Sequence, residues 1–387
     1  MKFEFRRAIG GAAGVAALCL LTTAGARGQA TQQMSEDAFK NIQVLRGIPV
    51  SEFMGTMGFF SAALGMNCTD CHVTESAGDW NRYADDTPLK NTARRMVLME
   101  NLINRSDFGN ERMVTCYTCH RGVQHPEVTP SLAEQYGTPP PADPDRIDVL
   151  PNTPEDTSAL AGQILDKYVQ AVGGAQALGK ITSLTAKGTY SGFDTDFQKV
   201  PTEISAKSPN QRSVTNKLTG GENTTTFDGN EAWLAGADRP VPLIALVGGD
   251  LDGARLDAQL AFPASIKQDL GKWHAGFPAL TLENKPVQVI EGIAPGGTRV
   301  KLYFDKQSGL LVRQTRIMDT KVGFIPLHID YSDYRTVSGV KMPFKWTTTW
   351  VDGQSTTELS EIQANAAVAA AKFAKPSPAM SKGMITK

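Results

Sequence analysis

The sequence has little cysteine, little histidine and almost no net charge. Its 387 residues include five cysteines and five histidines, and 39 basic residues nearly balance 40 acidic ones, which leaves a formal net charge of −1. Because nucleic-acid-binding domains carry a strong excess of positive charge, this balance excludes that class, together with a polybasic membrane patch. Hydrophobic residues make up 41% of the chain and charged residues 20%, as in soluble globular proteins with a buried core.

The first 30 residues follow the order of an export signal. A basic start is followed by an Ala/Leu-rich stretch and then by small residues up to Ala30. This order predicts a signal peptide over residues 1–30, cleaved after Ala26 or Ala30, and hence a periplasmic or otherwise exported protein that a partner can hold at a membrane. Two alternatives to simple cleavage stay open: lipidation at Cys19, and retention of the apolar stretch as a membrane anchor.

The other four cysteines fall into two copies of the pattern C-x-x-C-H. In this pattern the two thiols form thioethers with the haem vinyl groups, and the adjacent histidine ligates the iron from the same side. No cysteine is left for a structural disulfide, which is unusual in an exported protein unless the thiols have another covalent role. We therefore predict two haem c groups: Cys68 and Cys71 attach the first, with His72 as iron ligand, and Cys116 and Cys119 attach the second, with His120 as iron ligand.

Two other uses of paired cysteines are less consistent with the sequence. Two C-x-x-C pairs can jointly hold one zinc ion, but such sites belong mostly to reducing compartments and need no histidine after each pair. Thiol–disulfide redox motifs normally sit in a thioredoxin-like βαβ pattern, and none surrounds these cysteines. Haem attachment is the favoured interpretation.

A proline-rich segment divides the chain, whose length favours two domains. Both C-x-x-C-H patterns precede this segment, whose composition is typical of an extended, semi-rigid linker. The predicted organisation is a signal peptide (1–30), a dihaem cytochrome c domain (31–125), a linker (126–154), a β-rich half-barrel-like domain (155–370) and a flexible tail (371–387).

The first domain is predicted to be mainly α-helical. A helix opening at Ser51 places Phe53, Met57, Phe60 and Leu64 on one face. A second helix is indicated by Thr87-Pro88, a capping hydroxyl followed by proline at the first helical position, and runs to about Asn104. Each helix precedes one C-x-x-C-H pattern.

The second domain is predicted to be antiparallel α+β, with one curved sheet wrapped on a few helices. A helix follows the cap Thr153-Pro154-Glu155-Asp156 and stops at Gly173-Gly174, and strands begin near Ile181. Turns are expected at Asp305 to Gly309 and at Asp352-Gly353. A partly helical interruption spans about 256–270, with Pro263 breaking it in two.

The sixth iron ligand decides whether each haem is closed for electron transfer or open to small molecules. The first helix offers Met54 and Met57, and the second offers Met96 and Met99, each pair being three residues apart and so nearly on one helix face. Spacing alone does not choose within either pair. The competing interpretation is that these methionines only fill the core.

Three histidines lie outside the haem patterns. His125 lies close in sequence to the second pattern and is a candidate substitute ligand or haem propionate partner, although a surface role is favoured. His274 and His328 have no ligand-spaced companions, and we interpret them as structural.

The segment from Asn41 to Gly122 resembles the photosynthetic reaction-centre cytochrome c subunit family. The resemblance is carried by the Phe53-x3-Met57 helix, by Ala93-Arg94-Arg95-Met96, and by residues 114–122, which read VTCYTCHRG. It implies that Met57 and His72 ligate the first iron, that Met96 and His120 ligate the second, and that the protein donates electrons to an oxidised partner. Members of that family carry four haems, and this chain has the sites for two.

The second domain faintly resembles the lipoprotein-sorting half-barrel proteins. That resemblance is carried by the helix followed by Gly-Gly and a strand, by Phe304-Asp305-Lys306, and by the stretch from Asp333-Tyr334 to Met342-Pro343-Phe344. It implies a docking module or an apolar-ligand site in this domain.

The predicted function is single-electron transfer outside the cytoplasm, by an electron carrier with no catalytic residues. The expected partners are redox proteins, either a photosynthetic reaction centre or another periplasmic or membrane electron-transfer complex. One alternative is a dihaem peroxidase, which needs an iron with a distal face that can open and acid–base side chains beside it. The other is a redox sensor that binds a lipid or protein partner through the β-rich domain.

Overall fold

The computed structural model describes residues 32–138, 157–237, 239–269, 273–275 and 280–377. The predicted signal peptide lies outside the described residues, as do most of the predicted linker, the predicted cap at 153–156 and the end of the predicted tail. In the part that is described, no helix is both long enough and apolar enough to cross a membrane.

The N-terminal part is helical, as predicted. Its two long helices are the predicted ones, and the second ends at Asp107 rather than near Asn104. The Thr87 hydroxyl accepts a hydrogen bond from the Lys90 amide (3.1 Å) with Pro88 in the first turn, which confirms the predicted cap. The helices are α1 (Ser35–Ala38), α2 (Val50–Leu64), α3 (Cys68–Cys71), α4 (Pro88–Asp107), α5 (Cys116–His120) and α6 (Leu132–Tyr136).

The C-terminal part is built on one antiparallel sheet of thirteen strands. The spatial order is β6-β5-β4-β3-β2-β1-β13-β12-β11-β10-β9-β8-β7, so two meanders meet where the first strand pairs with the last. The strands are β1 (Ser183–Gly192), β2 (Val200–Lys207), β3 (Gln211–Leu218), β4 (Gly221–Phe227), β5 (Ala232–Gly236), β6 (Leu243–Leu246), β7 (Leu280–Leu282), β8 (Lys285–Ile293), β9 (Arg299–Asp305), β10 (Leu311–Thr320), β11 (Gly323–Val337), β12 (Val340–Trp350) and β13 (Gly353–Ala364).

Helices from two places in the chain share the main core with the sheet. Leu165 and Leu256 on these helices are buried in one cluster with Leu302 and Phe304 of β9. Removal of this apolar surface from water stabilises this part of the chain. The helices of the C-terminal part are α7 (Ser158–Ala171), α8 (Ala175–Leu178), α9 (Gly248–Ala261) and α10 (Ile266–Asp269).

The predicted helical interruption is present but begins earlier than expected. Helix α9 starts at Gly248, well before Leu256. The sequence does not reveal this start, because the two consecutive glycines at the beginning of the helix have low helix propensity. Helix α9 ends at Ala261, and a 3-10 turn over Pro263–Ser265 separates it from α10, so the predicted break at Pro263 is confirmed.

Two hairpin tips of the sheet pack against the helical part. We call residues 318–325 the β10–β11 tip and residues 350–353 the β12–β13 tip. Val322 of the first tip is fully buried and Val351 of the second is partly buried, and both pack in one cluster with Phe59 and Ala63 of α2. The amide of Lys321 also donates to Glu52 Oε1 (3.2 Å). The described residues from Gln32 onward therefore form one compact unit, and the predicted domain boundaries stay predictions.

Candidate haem sites

Helix α2 has two functionally different faces. Its residues Phe53, Met57, Phe60 and Leu64 line a cavity of about 370 Å³, as their helical spacing predicts. The opposite face carries Phe59, which is buried against the β10–β11 tip. One side of the helix thus forms a cavity wall while the other fixes the helix to the sheet.

The first C-x-x-C-H pattern forms another wall of the same cavity. Asn67 caps α3 by accepting hydrogen bonds from the amides of Thr69 (3.0 Å) and Asp70 (3.2 Å), and the Asp70 carboxylate accepts the Asn67 amide in return (2.8 Å). This reciprocal cap fixes the single helical turn that carries Cys68 and Cys71. Both cysteines line the cavity.

His72 also lines the cavity and packs on aromatic rings. Its ring lies edge-on to Tyr83, with centroids 4.8 Å apart, and Tyr83 stacks on Trp80 at 5.5 Å. Burial, with a smaller contribution from the Lys90 charge, lowers the pKa of His72, which favours the neutral imidazole that ligates metals. The buried Nδ1 atom has no hydrogen-bond partner among the described residues.

Three methionine side chains line this cavity: Met54, Met57 and Met66. Met57 also packs against the cluster that joins α2 to the sheet, whereas Met54 is 39% exposed. Met66, two residues before Cys68, also belongs to the wall. The geometry therefore brings together the predicted pair and adds a third thioether.

Basic side chains gather at one edge of the cavity: Lys40, Lys90 and Arg94. The Lys90 ammonium donates to the carbonyl oxygens of Tyr83 (2.8 Å) and Asp85 (3.0 Å). Arg94 donates to Asp86 Oδ1 (2.7 Å). These groups are suited to the carboxylates of haem propionates, because they place fixed positive charge beside an otherwise apolar wall.

The sheet contributes two residues to this cavity that sequence analysis did not identify, Pro240 and Asp352. Asp352, on the β12–β13 tip, is the only carboxylate among the described residues of the cavity wall. Its carboxylate approaches α2 at Gly58, where a Cβ atom would lie 2.8 to 2.9 Å from three of its side-chain atoms. Burial raises the pKa of Asp352.

The second C-x-x-C-H pattern forms α5 and orients its histidine. The Thr115 amide donates to the Thr118 hydroxyl (3.0 Å) at the start of this turn. His120 Nδ1 lies 3.1 Å from the Val123 carbonyl oxygen. Since a carbonyl only accepts, Nδ1 carries the proton and donates, which leaves the Nε2 lone pair for an iron ion.

A buried asparagine positions the segment that enters α5. Asn104 Oδ1 accepts hydrogen bonds from the amides of Met113 (3.0 Å) and Val114 (2.9 Å), and its Nδ2 donates to the Val114 carbonyl oxygen (2.7 Å). Nδ2 also donates to Glu100 Oε1 (2.7 Å). The end of α4 thus holds the chain directly before Cys116.

The cysteines of the second site are as exposed as those of the first, where Cys68 is exposed and Cys71 is partly buried. Cys119 is exposed and Cys116 is partly buried, with burial raising the pKa of the Cys116 thiol to about 12. Met96 and Met99 are 37% and 46% exposed on α4. Both candidate thioethers therefore lie at the surface of the helix that precedes this pattern.

The histidines outside the two patterns have different surroundings. His125 is exposed, His274 forms an isolated bridge with Glu291, and His328 Nε2 lies 3.5 Å from Asp330 Oδ2. Among the described residues, no group of three or more His, Cys, Asp or Glu side chains is arranged to hold a metal ion.

The residues present fit a covalently attached haem at the first site. A wall of apolar side chains, two thiols, a neutral imidazole, thioethers and a basic edge meet around one cavity. At the second site the thiols and an imidazole with a fixed tautomer are present, with thioethers on the preceding helix. When bound, haem supplies the one-electron iron couple, and the chain supplies attachment, axial ligands and a low-polarity surrounding.

Comparison with known proteins places the helical part beside cytochromes of the c type. Residues 18–177 match the family model described as "Photosynthetic reaction centre cytochrome C subunit". The photosynthetic reaction center cytochrome c subunit of Thermochromatium tepidum is 35% identical over 102 residues, which cover 25% of this chain and 24% of that protein. The same-named subunit of Rubrivivax gelatinosus is 31% identical over 97 residues, covering 21% and 26%. The resemblance seen in the sequence is confirmed.

These matches are partial, and the chain spans about a quarter of the length of the curated relatives it matches. Solved structures similar to this chain include a LolA superfamily protein from Nitrosomonas europaea, with 13% identity, a TM-score of 0.39, and coverage of 56% of this chain and 97% of that one. A DUF1329 family protein from Desulfovibrio piger has 10% identity, a TM-score of 0.41, and coverage of 57% and 98%.

Proposed function

We propose that this protein is a dihaem c-type cytochrome that carries single electrons outside the cytoplasm and reduces an oxidised redox partner. Haem 1 is attached to Cys68 and Cys71, with His72 and Met57 as iron ligands. Haem 2 is attached to Cys116 and Cys119, with His120 and Met96 as ligands. Closed His/Met ligation favours electron transfer over the binding of oxygen or peroxide.

The observation that supports this proposal best is the cavity shared by Cys68, Cys71, His72 and Met57. The two thiols would form the thioethers, and the imidazole and the methionine would serve as iron ligands. The apolar face of α2 would cover the macrocycle, while Lys90 and Arg94 would hold the propionates.

The hydrogen bond from His120 to the Val123 carbonyl supports the proposal that His120 ligates the iron of haem 2. A ligating histidine commonly donates its other ring N–H to a carbonyl, which fixes the ring and raises its basicity. We propose a redox protein as partner, because the relatives are named subunits of photosynthetic reaction centres. The predicted alternatives of a reaction centre and of another periplasmic or membrane complex both fit this proposal, and the apolar ligand of the sheet stays a prediction.

The proposal is tested on the full chain matured by a haem-attachment system. Two covalent haems per chain, a methionine-to-ferric-iron absorption band and no spectral response to carbon monoxide are expected. A single haem, or a haem that binds carbon monoxide in the unmodified protein, would contradict the closed dihaem assignment and favour the peroxidase or sensor alternatives.

Matched variants choose between the methionines at each site. Met57→Ala is expected to remove the band of haem 1 and to open that iron to carbon monoxide, whereas Met54→Ala leaves both properties unchanged. Met96→Ala and Met99→Ala form the same comparison for haem 2. If Met54→Ala lost the band and Met57→Ala kept it, Met54 would be the ligand of haem 1. The same result for Met99→Ala and Met96→Ala would make Met99 the ligand of haem 2.

A further inference from the structure

We propose that Asp352, contributed by the sheet, sets the reduction potential of haem 1 through its negative charge. This inference rests on the proposed function, because it requires a haem in the cavity lined by Met57 and His72. It assigns to the β12–β13 tip a role in the redox chemistry of the helical part.

The position of Asp352 carries the argument. The β12–β13 tip reaches α2 at Gly58, the residue after Met57, and the absence of a side chain there allows the carboxylate to approach the helix. On α2, Gly58 belongs to the same cavity wall as Met57 and Leu64. Asp352 therefore lies on the methionine side of the cavity.

The charge of Asp352 is not neutralised locally. Among the described residues, no basic side chain forms an ion pair with it. Its polar neighbour is the side chain of Trp350, which is uncharged. Of the basic groups of this cavity, Lys40 donates to Asn81 Oδ1 (3.3 Å), while Lys90 and Arg94 of α4 bind backbone carbonyls and Asp86. A carboxylate in this position adds an uncompensated negative potential to the cavity.

The direction of the effect follows from electrostatics. Oxidation of the iron adds one positive charge to the haem, and a nearby negative charge stabilises that state. Partial burial reduces solvent screening and strengthens the interaction. Asp352 should therefore lower the potential of haem 1 relative to a cavity without it, and it should act much less on haem 2.

The test is a redox titration of the matured protein at pH 8, followed optically. Asp352→Asn keeps the side-chain shape and removes the charge, so the midpoint potential of haem 1 is expected to rise while that of haem 2 is unchanged. Haem 1 is identified as the component that Met57→Ala alters. Asp333→Asn is the matched control, because Asp333 is an acidic residue of the same sheet whose partner is Arg335, and it is expected to shift neither haem.

A second variant separates charge from packing. Asp352→Glu keeps the charge and is expected to retain a potential close to that of the unmodified protein. An unchanged haem 1 potential in Asp352→Asn, or an equal rise in Asp352→Glu, would overturn the inference. Absence of covalent haem in the unmodified protein would instead overturn the proposed function, so the two failures are distinguishable.

Discussion

Arg112 and Asp319 form an ion pair, with Nε donating to Oδ1 at 3.1 Å, that joins the segment before the second C-x-x-C-H pattern to the β10–β11 tip of the sheet. Arg112 also lies 3.6 Å from the carboxylate of Glu100 on α4. One guanidinium therefore bridges helix α4, the entry to α5 and the sheet.

Arg112→Met is expected to destabilise the protein by about 1–3 kcal/mol, because it leaves the buried Glu100 carboxylate without its cationic partner. Burial already raises the pKa of Glu100, and Arg112 opposes that rise. In the variant the pKa of folded-state Glu100 rises further, so the folded protein binds a proton at Glu100 more tightly than the unfolded chain does. The loss in free energy of unfolding, relative to the unmodified protein, should therefore grow as the pH increases from about 4 to 8.

Urea unfolding of the matured variant at both ends of this pH range measures the effect. Asp319→Asn provides the control, because Asp319 is 68% exposed and its loss leaves no buried charge, so a change within about 0.5 kcal/mol is expected. Equal deficits for the two variants would show that the Glu100 carboxylate is not the group that needs Arg112.

Asn104→Ala is expected to lower the occupancy of haem 2 while haem 1 remains fully attached. The substitution leaves the amides of Met113 and Val114 without their acceptor, at a cost of roughly 1–3 kcal/mol for each buried group. The segment that presents Cys116 then loses its fixed position.

The ratio of covalent haem to protein, determined optically after denaturation, measures this outcome. Asn104→Asp retains the acceptor for both amides but loses the donor to the Val114 carbonyl and places a carboxylate beside Glu100, so the occupancy is expected to fall below that of the unmodified protein. Asn101→Ala, one turn earlier on α4, serves as the control. Full occupancy of haem 2 in Asn104→Ala would refute a positioning role for this residue.

Gly65→Ala and Gly109→Ala separate backbone strain from close packing. Both glycines have left-handed backbone conformations, with φ of +63° and +61°, so each substitution should cost about 1–2 kcal/mol in strain. A Cβ atom at Gly65 would lie 2.2 Å from the Gly122 carbonyl oxygen, whereas nothing lies within 4 Å at Gly109.

Gly65→Ala should therefore lose about 1–3 kcal/mol more than Gly109→Ala, because it also forces α2 away from the loop after α5. The same movement would weaken the hydrogen bond from the Gly122 amide to the Ala63 carbonyl oxygen, which measures 3.0 Å. Thermal unfolding of both variants provides the comparison. Similar losses in the two would mean that the contact between Gly65 and Gly122 adds little.

Glu358→Gln is expected to reduce stability at neutral pH by roughly 0.2–1 kcal/mol, the range of partly exposed ion pairs. Hydrogen bonds from Lys199 and Lys345 lower the pKa of Glu358 to about 2. Because the pKa of Glu358 is lower in the folded protein than in the unfolded chain, its charged form stabilises the folded state at pH values above the unfolded pKa. This stabilisation is lost as the pH falls towards 2. The difference from the unmodified protein should therefore shrink between about pH 4.5 and pH 2.

Denaturant unfolding across this pH range tests the prediction. Glu361→Gln, on the same strand β13, removes the same charge without removing these two lysine contacts. A difference that persists undiminished at pH 2 would assign the effect to side-chain packing.

Local chemistry made several elements predictable. The face of α2 formed by Phe53, Met57, Phe60 and Leu64 follows from helical periodicity, and its four residues do line one cavity. The cap at Thr87 follows from the pairing of a hydroxyl with proline. Both features depend on neighbours within a few residues, which is why the sequence alone reveals them.

Long-range contacts were not predictable in this way. Nothing in the residues around Asp352 indicates that its hairpin turn reaches Gly58, because that contact depends on how the whole sheet packs against α2. Strand β9 presents a related difficulty: Lys301 and Tyr303 are buried as well as Leu302, so alternation of polar and apolar residues does not distinguish its two faces. Tertiary packing decided these features.

The contacts of the two hairpin tips with α2 also impose an order of assembly. On the proposed function the chain is exported with its N-terminus first, so Cys68 and Cys71 would reach the haem-attachment machinery before residues 318–325 and 350–353 have left the membrane. On the proposed function, the thioether bonds of haem 1 form while one wall of its cavity is still missing. The sheet then completes that wall, and the cofactor becomes enclosed by a part of the chain that took no share in its attachment.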